Sequence, residues 1–600
     1  MTIFGSIMES ETAVPTLGVV DSPVRPKLLA EPGNRYSSKT DGPRSLNDDD
    51  VDELVGAWKQ SVMREFHRAR ELAEAHQGAM TALARLAEAA LLADEREVAL
   101  QAAIQTLDIG ASRLDESSQN ETDLPATHVA LQVLLCLDQA RFADKYLQQM
   151  ANLPELVQIR ATVLIGEARY DEALAVLSGM ESHLPGVASM RGYILLLREE
   201  FGKAIKELRA AHRVDPNDVD SILNLAAGLW HVNSRRKAIR WARFAAAIAP
   251  GRHDAHLALI RYLIEAGSLD LAEVKIRSLV DRGVVQTSSL VVLQAQIAAA
   301  RDQVSRVDRL LRRARALAEE EKDEVASSEL DARIAISEHM SAKIDRVETL
   351  QRIRSACRKA PKSAFLVAML ANFVDRASNA TEVEHALAQL EPGGRGWTVR
   401  SAQCRLAFLK GDFDTAVELA LAWSHEDPYN ENAVKLYAFW YGALHEDWSA
   451  AAGRCLDAID KLGISKTLAN PAAYSLALAG RGRDALELLS QVDTSHFVLM
   501  ATKGLACISA GDVSEGLSLY RQAAQIADRQ ERGLHNRLLM TIHQAMGLRR
   551  LAVVSTQPGL VRAAALPAVE LPRHWQDIAE IRFLAEVAKR RGWSWPVMID

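Results

Sequence analysis

The sequence predicts an all-α chain built as a solenoid of helix-turn-helix pairs, and three observations carry that prediction. Apolar residues recur at three- and four-residue steps almost throughout, as in Val51, Leu54, Val55, Trp58, Val62 and Phe66, which places them on one helical face. No stretch offers sustained two-residue alternation with β-branched and aromatic enrichment, so essentially no sheet is expected. An alanine followed twelve residues later by a proline recurs at Ala173 and Pro185, Ala204 and Pro216, Ala238 and Pro250, and Ala416 and Pro428. Ala173, Ala204, Ala238 and Ala272 follow one another at a nearly constant step. One helical pair cannot bury its own apolar stripe, so units of this kind must stack, and a small constant rotation between them winds a superhelix with an inner groove.

Composition agrees with an array. The 600 residues are 48% apolar, 25% charged and 5% aromatic, enough for several domains or one long repeat structure. Lys+Arg 71 against Asp+Glu 78 gives a net charge of −7, which argues against a dedicated binder of nucleic acid or anionic membrane while leaving room for a local basic face. The five cysteines, Cys136, Cys357, Cys404, Cys455 and Cys507, form no C-x-x-C pair, and their odd total suggests neither a disulfide framework nor a thiolate zinc site. With 18 Lys, 53 of the 71 basic residues are Arg, a bias that hints at a GC-rich bacterial gene. Residues 1–20 lack a basic start and a sustained apolar run, and even Tyr193–Leu197 stops at Arg198, so neither a secretory signal nor a membrane span is expected. Cytoplasmic location follows as the expectation.

Taken in order, residues 1–50 are rich in Pro, Ser, Asp and Gly and read as a disordered tail. Residues 51–109 hold N-terminal helices with the first repeat-like unit, opened by Asp49 or Asp50 as a helix cap. A polar linker or long loop is expected from Gly110 to Pro125. An array follows over 124–391, clearest at 154–284. Glu391-Pro-Gly-Gly-Arg-Gly396 marks a break before a second array over 397–532. Residues 533–600 end in an amphipathic helix carrying Trp575, Ile578, Phe583, Leu584 and Val587, expected to cap the array.

The recurring alanines and prolines resemble the tetratricopeptide repeat family, whose unit of about 34 residues is a helix, a tight turn and a second antiparallel helix. The resemblance implies a right-handed α-α superhelix covering roughly residues 80–532. The family's small residue near the eighth place falls to Gly192, Ala226, Cys404 and Gly504. Its alanine at the twentieth falls to Ala99, Ala173, Ala204, Ala238, Ala272, Ala416 and Ala485, and its proline to Pro185, Pro216, Pro250 and Pro428. A small side chain lets two helix backbones approach, and proline cannot continue the second helix. Gly267, Gly411, Gly480 and Gly511 fall in the intervening turn. Repeats begin near Pro154, Pro185, Val219, His253 and Trp397, with fewer matching places near Met80, Ser288, Glu431, Lys466 and Phe497, and fewest near Leu124, Ser328 and Ser363. The family's early Trp is absent from the best-matching repeats.

No catalytic signature is present: no H-E-x-x-H, no P-loop, no G-x-S-x-G and no dinucleotide fingerprint after a strand. No metal, cofactor or enzymatic activity is expected. His253 and His256 are the nearest approach to a metal pair, and their place at the opening of a repeat favours surface or packing roles. The resemblance implies that the first helix of each pair lines the groove, and by register it would present Tyr193, Leu223, Ala227, Trp230, His231, Arg261, Ile264, Arg405 and Phe408 there. This mixture suits an extended peptide, with packing between helices as the competing role for Trp230 and Tyr193. The family's lysine-and-asparagine clamp for a peptide carboxylate is not reproduced. The outer helices form a cationic stripe that includes Arg235, Arg236, Arg240, Arg309, Arg312 and Arg313, read as a solvated face or as a site for RNA phosphates or an acidic partner. The expected function is a non-catalytic scaffold that binds a protein or peptide partner. The alternatives are a nucleic-acid-associated or transcriptional regulator using the stripe, and an accessory subunit of an enzyme.

Overall fold

The computed structural model describes residues 48–76, 79–114, 123–137, 139–149, 156–167, 169–180, 186–282, 286–301, 303–390, 397–426, 430–529, 540, 543–545, 547–551, 571–592 and 598–599. Residues 1–47 of the expected tail, the Glu391–Gly396 break, Pro185, Pro428, Trp593 and Trp595 lie outside them, whereas residues 48–50, Asp49 and Asp50 included, already belong to the first helix rather than to a tail that it follows.

The described residues are mostly helical hairpins, and within each of two compact units most helices pack on the next in sequence. A lone helix, Asp48–Ala75, precedes the hairpins Met80–Leu92 with Arg96–Leu114 and Asp123–Cys136 with Ala140–Gln149. Next come Val157–Gly166 with Tyr170–Ser178, Val187–Leu197 with Phe201–Val214, Val219–His231 with Arg235–Ile248, and His253–Glu265 with Leu269–Asp281. The series continues through Ser288–Ala300 with Val304–Glu320, Glu324–Met340 with Arg346–Lys359, and Ala364–Phe373 with Ala380–Ala388. It closes with Trp397–Lys410 with Phe413–Glu426, Glu431–His445 with Trp448–Leu462, Lys466–Leu478 with Gly482–Leu489, and Phe497–Ala510 with Val513–Asp528. The all-α array of helix-turn-helix repeats is the fold of the chain.

Why the hairpins fall there follows from the residues. Ala99, Ala173, Ala204, Ala238, Ala272, Ala416 and Ala485 are all completely buried. Gly192 shows why the crossing needs a small residue, because a Cβ there would lie 2.5 Å from Leu208 Cγ. Five residues before each of Ala99, Ala204, Ala238, Ala272, Ala416 and Ala485 the backbone turns with positive φ, at Asp94, Glu199, Asn233, Gly267, Gly411 and Gly480. Half of these are not glycine, so the turn is set by the fold rather than by glycine alone. Side-chain caps open many helices: Thr287 accepts from Leu290 N, Asp345 from Glu348 N, and Ser465 from Leu468 N.

Neighbouring hairpins are stitched at the repeat period. Ser363 donates to Glu329 at 2.7 Å, Ser465 to Glu431 at 2.8 Å, Thr502 to Asn470 at 2.8 Å and Ser221 to Ser189 at 2.7 Å. Each bond joins equivalent faces of successive units, fixing their stacking distance.

The array differs from the sequence expectation in four places. Residues 110–114 of the expected linker complete the Arg96–Leu114 helix, and Pro125 stands inside the first turn of Asp123–Cys136, where its missing N–H costs nothing. The repeat expected near Ser328 begins at Glu324, because Asp323 caps it by accepting from Ala326 N. A two-residue parallel pairing joins Leu571–Pro572 to Met598–Ile599. The C-terminal helix, Ala579–Arg590, does not extend the end of the array; it lies against the inner helices Trp397–Lys410 and Glu431–His445.

By packing, the chain divides into two compact units, one reaching to Gly228 and one running from Leu229 to the C-terminus. In the second, a single apolar core runs from Ala332 to Val587 and includes residues on both sides of the Glu391–Gly396 break.

Candidate functional site

The first helices of successive hairpins position two aromatic platforms. Trp230 stacks on Tyr262 with ring centroids 4.7 Å apart and planes 18° from parallel. Phe408 stacks on Trp440 at 4.8 Å and 15°. In each pair the second residue follows the first by the same step, close to one repeat, so the repeat itself brings one ring over the next. An arginine adjoins each platform: Arg235 sits 5.4 Å from the Trp230 ring and Arg405 sits 5.1 Å from Phe408.

The two platforms differ in what covers them. Phe583 of the C-terminal helix packs against Phe408 at 5.3 Å, Phe413 at 5.2 Å and Phe439 at 6.1 Å. Phe408 is consequently 1% exposed. Polar contacts fasten the same helix along its length. Ala579 N donates to Asp375 O at 2.8 Å, and Ser378 N donates to Asp577 Oδ1 at 2.9 Å. Arg590 binds Asp414 with two bonds of 3.0 and 2.7 Å, and Arg591 pairs with Glu446 at 3.1 Å. The irregular stretch after Phe373, where the Ser363 repeat is least regular in sequence, receives this segment. Arg405, wholly desolvated, donates to Val374 O at 3.2 Å, and burial lowers its pKa against the pull of Glu580 and Asp375.

Trp230, by contrast, is half-buried, and Tyr262 is 8% exposed. His231 follows it, half-buried, and desolvation pushes its imidazole down to about 4, so it is neutral at pH 7. Arg261 lies half-buried on the next inner helix. The turn after Trp230 meets the end of Trp448–Leu462, where Asn233 Nδ2 donates to the Lys461 carbonyl at 3.4 Å. Arg235 also faces Glu431, whose carboxyl is pushed up by burial and held down by Ser465, Lys435 and Arg235.

The remaining sequence-derived residues separate cleanly. Tyr193 is 3% exposed and belongs to the core with Leu164 and Ile194, so packing claims it rather than the groove. Leu223, in the first unit, is half-buried. Arg405 and Phe408 lie beneath the C-terminal helix, Phe408 against Phe583 and Arg405 near Glu580. His253 is exposed whereas His256 is 2% exposed with Nε2 3.0 Å from Pro250 O, so the two do not face a common point. Among the described residues no group of three His, Cys, Asp or Glu converges to hold a metal, and no helix is long and apolar enough to cross a membrane. Tyr262 and Trp440 were missed by sequence reasoning, and Phe583 was read as part of an array cap; an aromatic recurring at one and the same step after Trp230 and after Phe408 is the signal that would have found the first two.

The cationic stripe is not continuous. Arg312 pairs with Glu338, Arg315 with Asp331 at 2.6 Å, Arg352 with Glu338 at 2.6 Å and Arg354 with Glu382 at 2.7 Å. Arg309 and Arg313 are exposed on the same helix. The Arg235–Ile248 helix is different: it carries five cations and no acid, and among the described residues Arg236 and Arg240 are exposed without an ion pair.

No family profile matches the chain, and no curated protein does. Similar solved structures include the Cut9–Hcn1 hetero-tetramer of the APC/C, at 12% identity, covering 80% of this chain and 96% of that one with a TM-score of 0.38. The human IFIT1 dimer with m7Gppp-AAAA shows 16% identity over 71% of this chain and 94% of that one, TM-score 0.33. The same protein with PPP-AAAA gives 16%, 71%, 95% and 0.33. These likenesses carry no residue from those proteins onto this chain.

Proposed function

We propose that the chain is a non-catalytic interaction scaffold that holds a protein or peptide partner on the inner face around Trp230, His231, Arg235, Arg261 and Tyr262. One observation carries this reading: of the two stacked aromatic platforms, Phe408–Trp440 is sealed by the chain's own C-terminal helix, whereas Trp230 keeps part of its surface open. An aromatic ring flanked by arginines is the composition in which interface energy concentrates. Capture from extracts of the native host with the parent chain and with Trp230→Ala tests it. The partner should be retained by the parent and lost by the variant, and equal recovery would remove the platform from the interface.

A second reading, nucleic-acid association, draws on the acid-free Arg235–Ile248 helix. Its signature is a steep fall of affinity with salt and loss on Arg236→Glu with Arg240→Glu, while Trp230→Ala leaves binding intact.

A further inference from the structure

The hairpins around the two platforms are in the same register. One fixed offset along the chain carries Trp397 to Val219, Phe413 to Arg235 and Glu431 to His253, each the first residue of its helix. The same offset carries Ala416 to Ala238, Phe408 to Trp230 and Trp440 to Tyr262. The second site therefore shows, residue by residue, how a helix lies on the first.

The residues that hold the C-terminal helix change character under that offset. Phe413 and Phe439, two walls of the Phe583 pocket, become Arg235 and Arg261. Asp414, which binds Arg590, becomes Arg236, exposed and without an ion pair among the described residues. The aromatic floor is kept while the walls and rim turn from apolar and acidic to cationic. Phe408 under its helix is 1% exposed, whereas its counterpart Trp230 is half-buried, the difference expected of a platform without its cover.

We propose that the Trp230–Tyr262 platform binds an acidic amphipathic helix of a partner protein, a charge-inverted counterpart of the chain's own C-terminal helix. It places an apolar or aromatic anchor on Trp230 and carboxylates against Arg235, Arg236 and Arg261. This rests on the preceding assignment of the Trp230 surface as the interface and adds the class of partner. Charge complementarity selects the sequence, and the stacked rings supply the buried contact.

The probe is a labelled peptide spanning residues 573–592 in which Arg582, Arg590 and Arg591 are each replaced by glutamate, titrated into the full chain by fluorescence anisotropy. It should bind at least tenfold more tightly than the unsubstituted peptide. Trp230→Ala and Arg236→Glu should each weaken it at least tenfold, and Asp414→Arg should not. Equal binding of the two peptides, or binding indifferent to Trp230 and Arg236, overturns the proposal. A host partner lost on Trp230→Ala, together with failure of the acidic peptide, would leave the interface standing and remove the acidic helix. A single-stranded RNA oligomer that competes through Arg236 but not Trp230 also overturns it.

Discussion

Phe583 and Phe408 place their ring centroids 5.3 Å apart although most of the second array lies between them in sequence, one on the C-terminal helix and one on Trp397–Lys410, the first helix of that array. The pair is completely shielded, with Phe583 at 0% and Phe408 at 1% exposure. Removing the Phe583 ring leaves a cavity bounded by Phe413 and Phe439, rigid aromatic neighbours that relax poorly. Phe583→Ala is expected to cost about 3–5 kcal/mol, read as a shift of the denaturant midpoint. A loss below about 1 kcal/mol would mean that the helix is not seated in this pocket.

Ala238 is completely buried in the Arg235–Ile248 helix, at the place where the repeat demands a small residue. Ala238→Glu introduces a carboxylate with neither room nor a partner. The expected destabilisation is several kcal/mol, on the order of the penalty for an unpaired buried charge. Ala247, exposed on the same helix, is the control: Ala247→Glu should change stability by less than about 0.5 kcal/mol. Similar midpoints for the two variants would mean that the assigned register is wrong.

The array was legible because its signals are local and repeated. Ala204, Ala238 and Ala272 mark crossings, and nearly every expected repeat start coincides with the start of an observed inner helix. What was not legible is tertiary. The amphipathic pattern of Trp575, Phe583, Leu584 and Val587 announced a helix with one apolar face, and such a face fits the end of an array as well as its interior. Only the folded chain brings it to Phe408. Tyr193 and Phe408 occupy groove-facing places by register, yet register fixes direction and says nothing of what later covers the position. The ion pairs that interrupt the cationic stripe were illegible for the same reason, since Arg312 and Arg352 meet Glu338 only after three helices have packed.

His231 gives the chain a pH-dependent element. Its imidazole is pushed from 6.5 down to about 4 by desolvation, so the folded chain holds it neutral where the unfolded chain takes up a proton. A base with a depressed folded pKa contributes no penalty above the unfolded value. As pH falls from 6.5 toward 4, stability falls by up to about 1.4 kcal/mol per pH unit, and it levels below. His231→Gln removes this titration. Urea midpoints of parent and variant between pH 7.5 and 4.5 should therefore converge with acidification if the variant starts lower, or diverge with the variant ending higher if it starts level. Parallel curves would show that His231 is not desolvated.

Two glycines inside helices give opposite signs for the same substitution. Gly453, in Trp448–Leu462, is exposed, and a Cβ there meets nothing within 4 Å. Gly453→Ala should stabilise by about 1 kcal/mol, the difference in helix propensity between the two residues. Gly504, in Phe497–Ala510, faces Gly516 across a helix crossing, and a Cβ on Gly504 would lie 2.8 Å from the Gly516 carbonyl oxygen. Backbone cannot step aside as a side-chain tip can, so the two helices must separate and the propensity gain is outweighed. Gly504→Ala is expected to destabilise by about 1–3 kcal/mol. Thermal midpoints measured side by side decide it: a rise for Gly453→Ala and a fall for Gly504→Ala follow from the crossing, and a rise in both would mean that these helices do not approach through glycine.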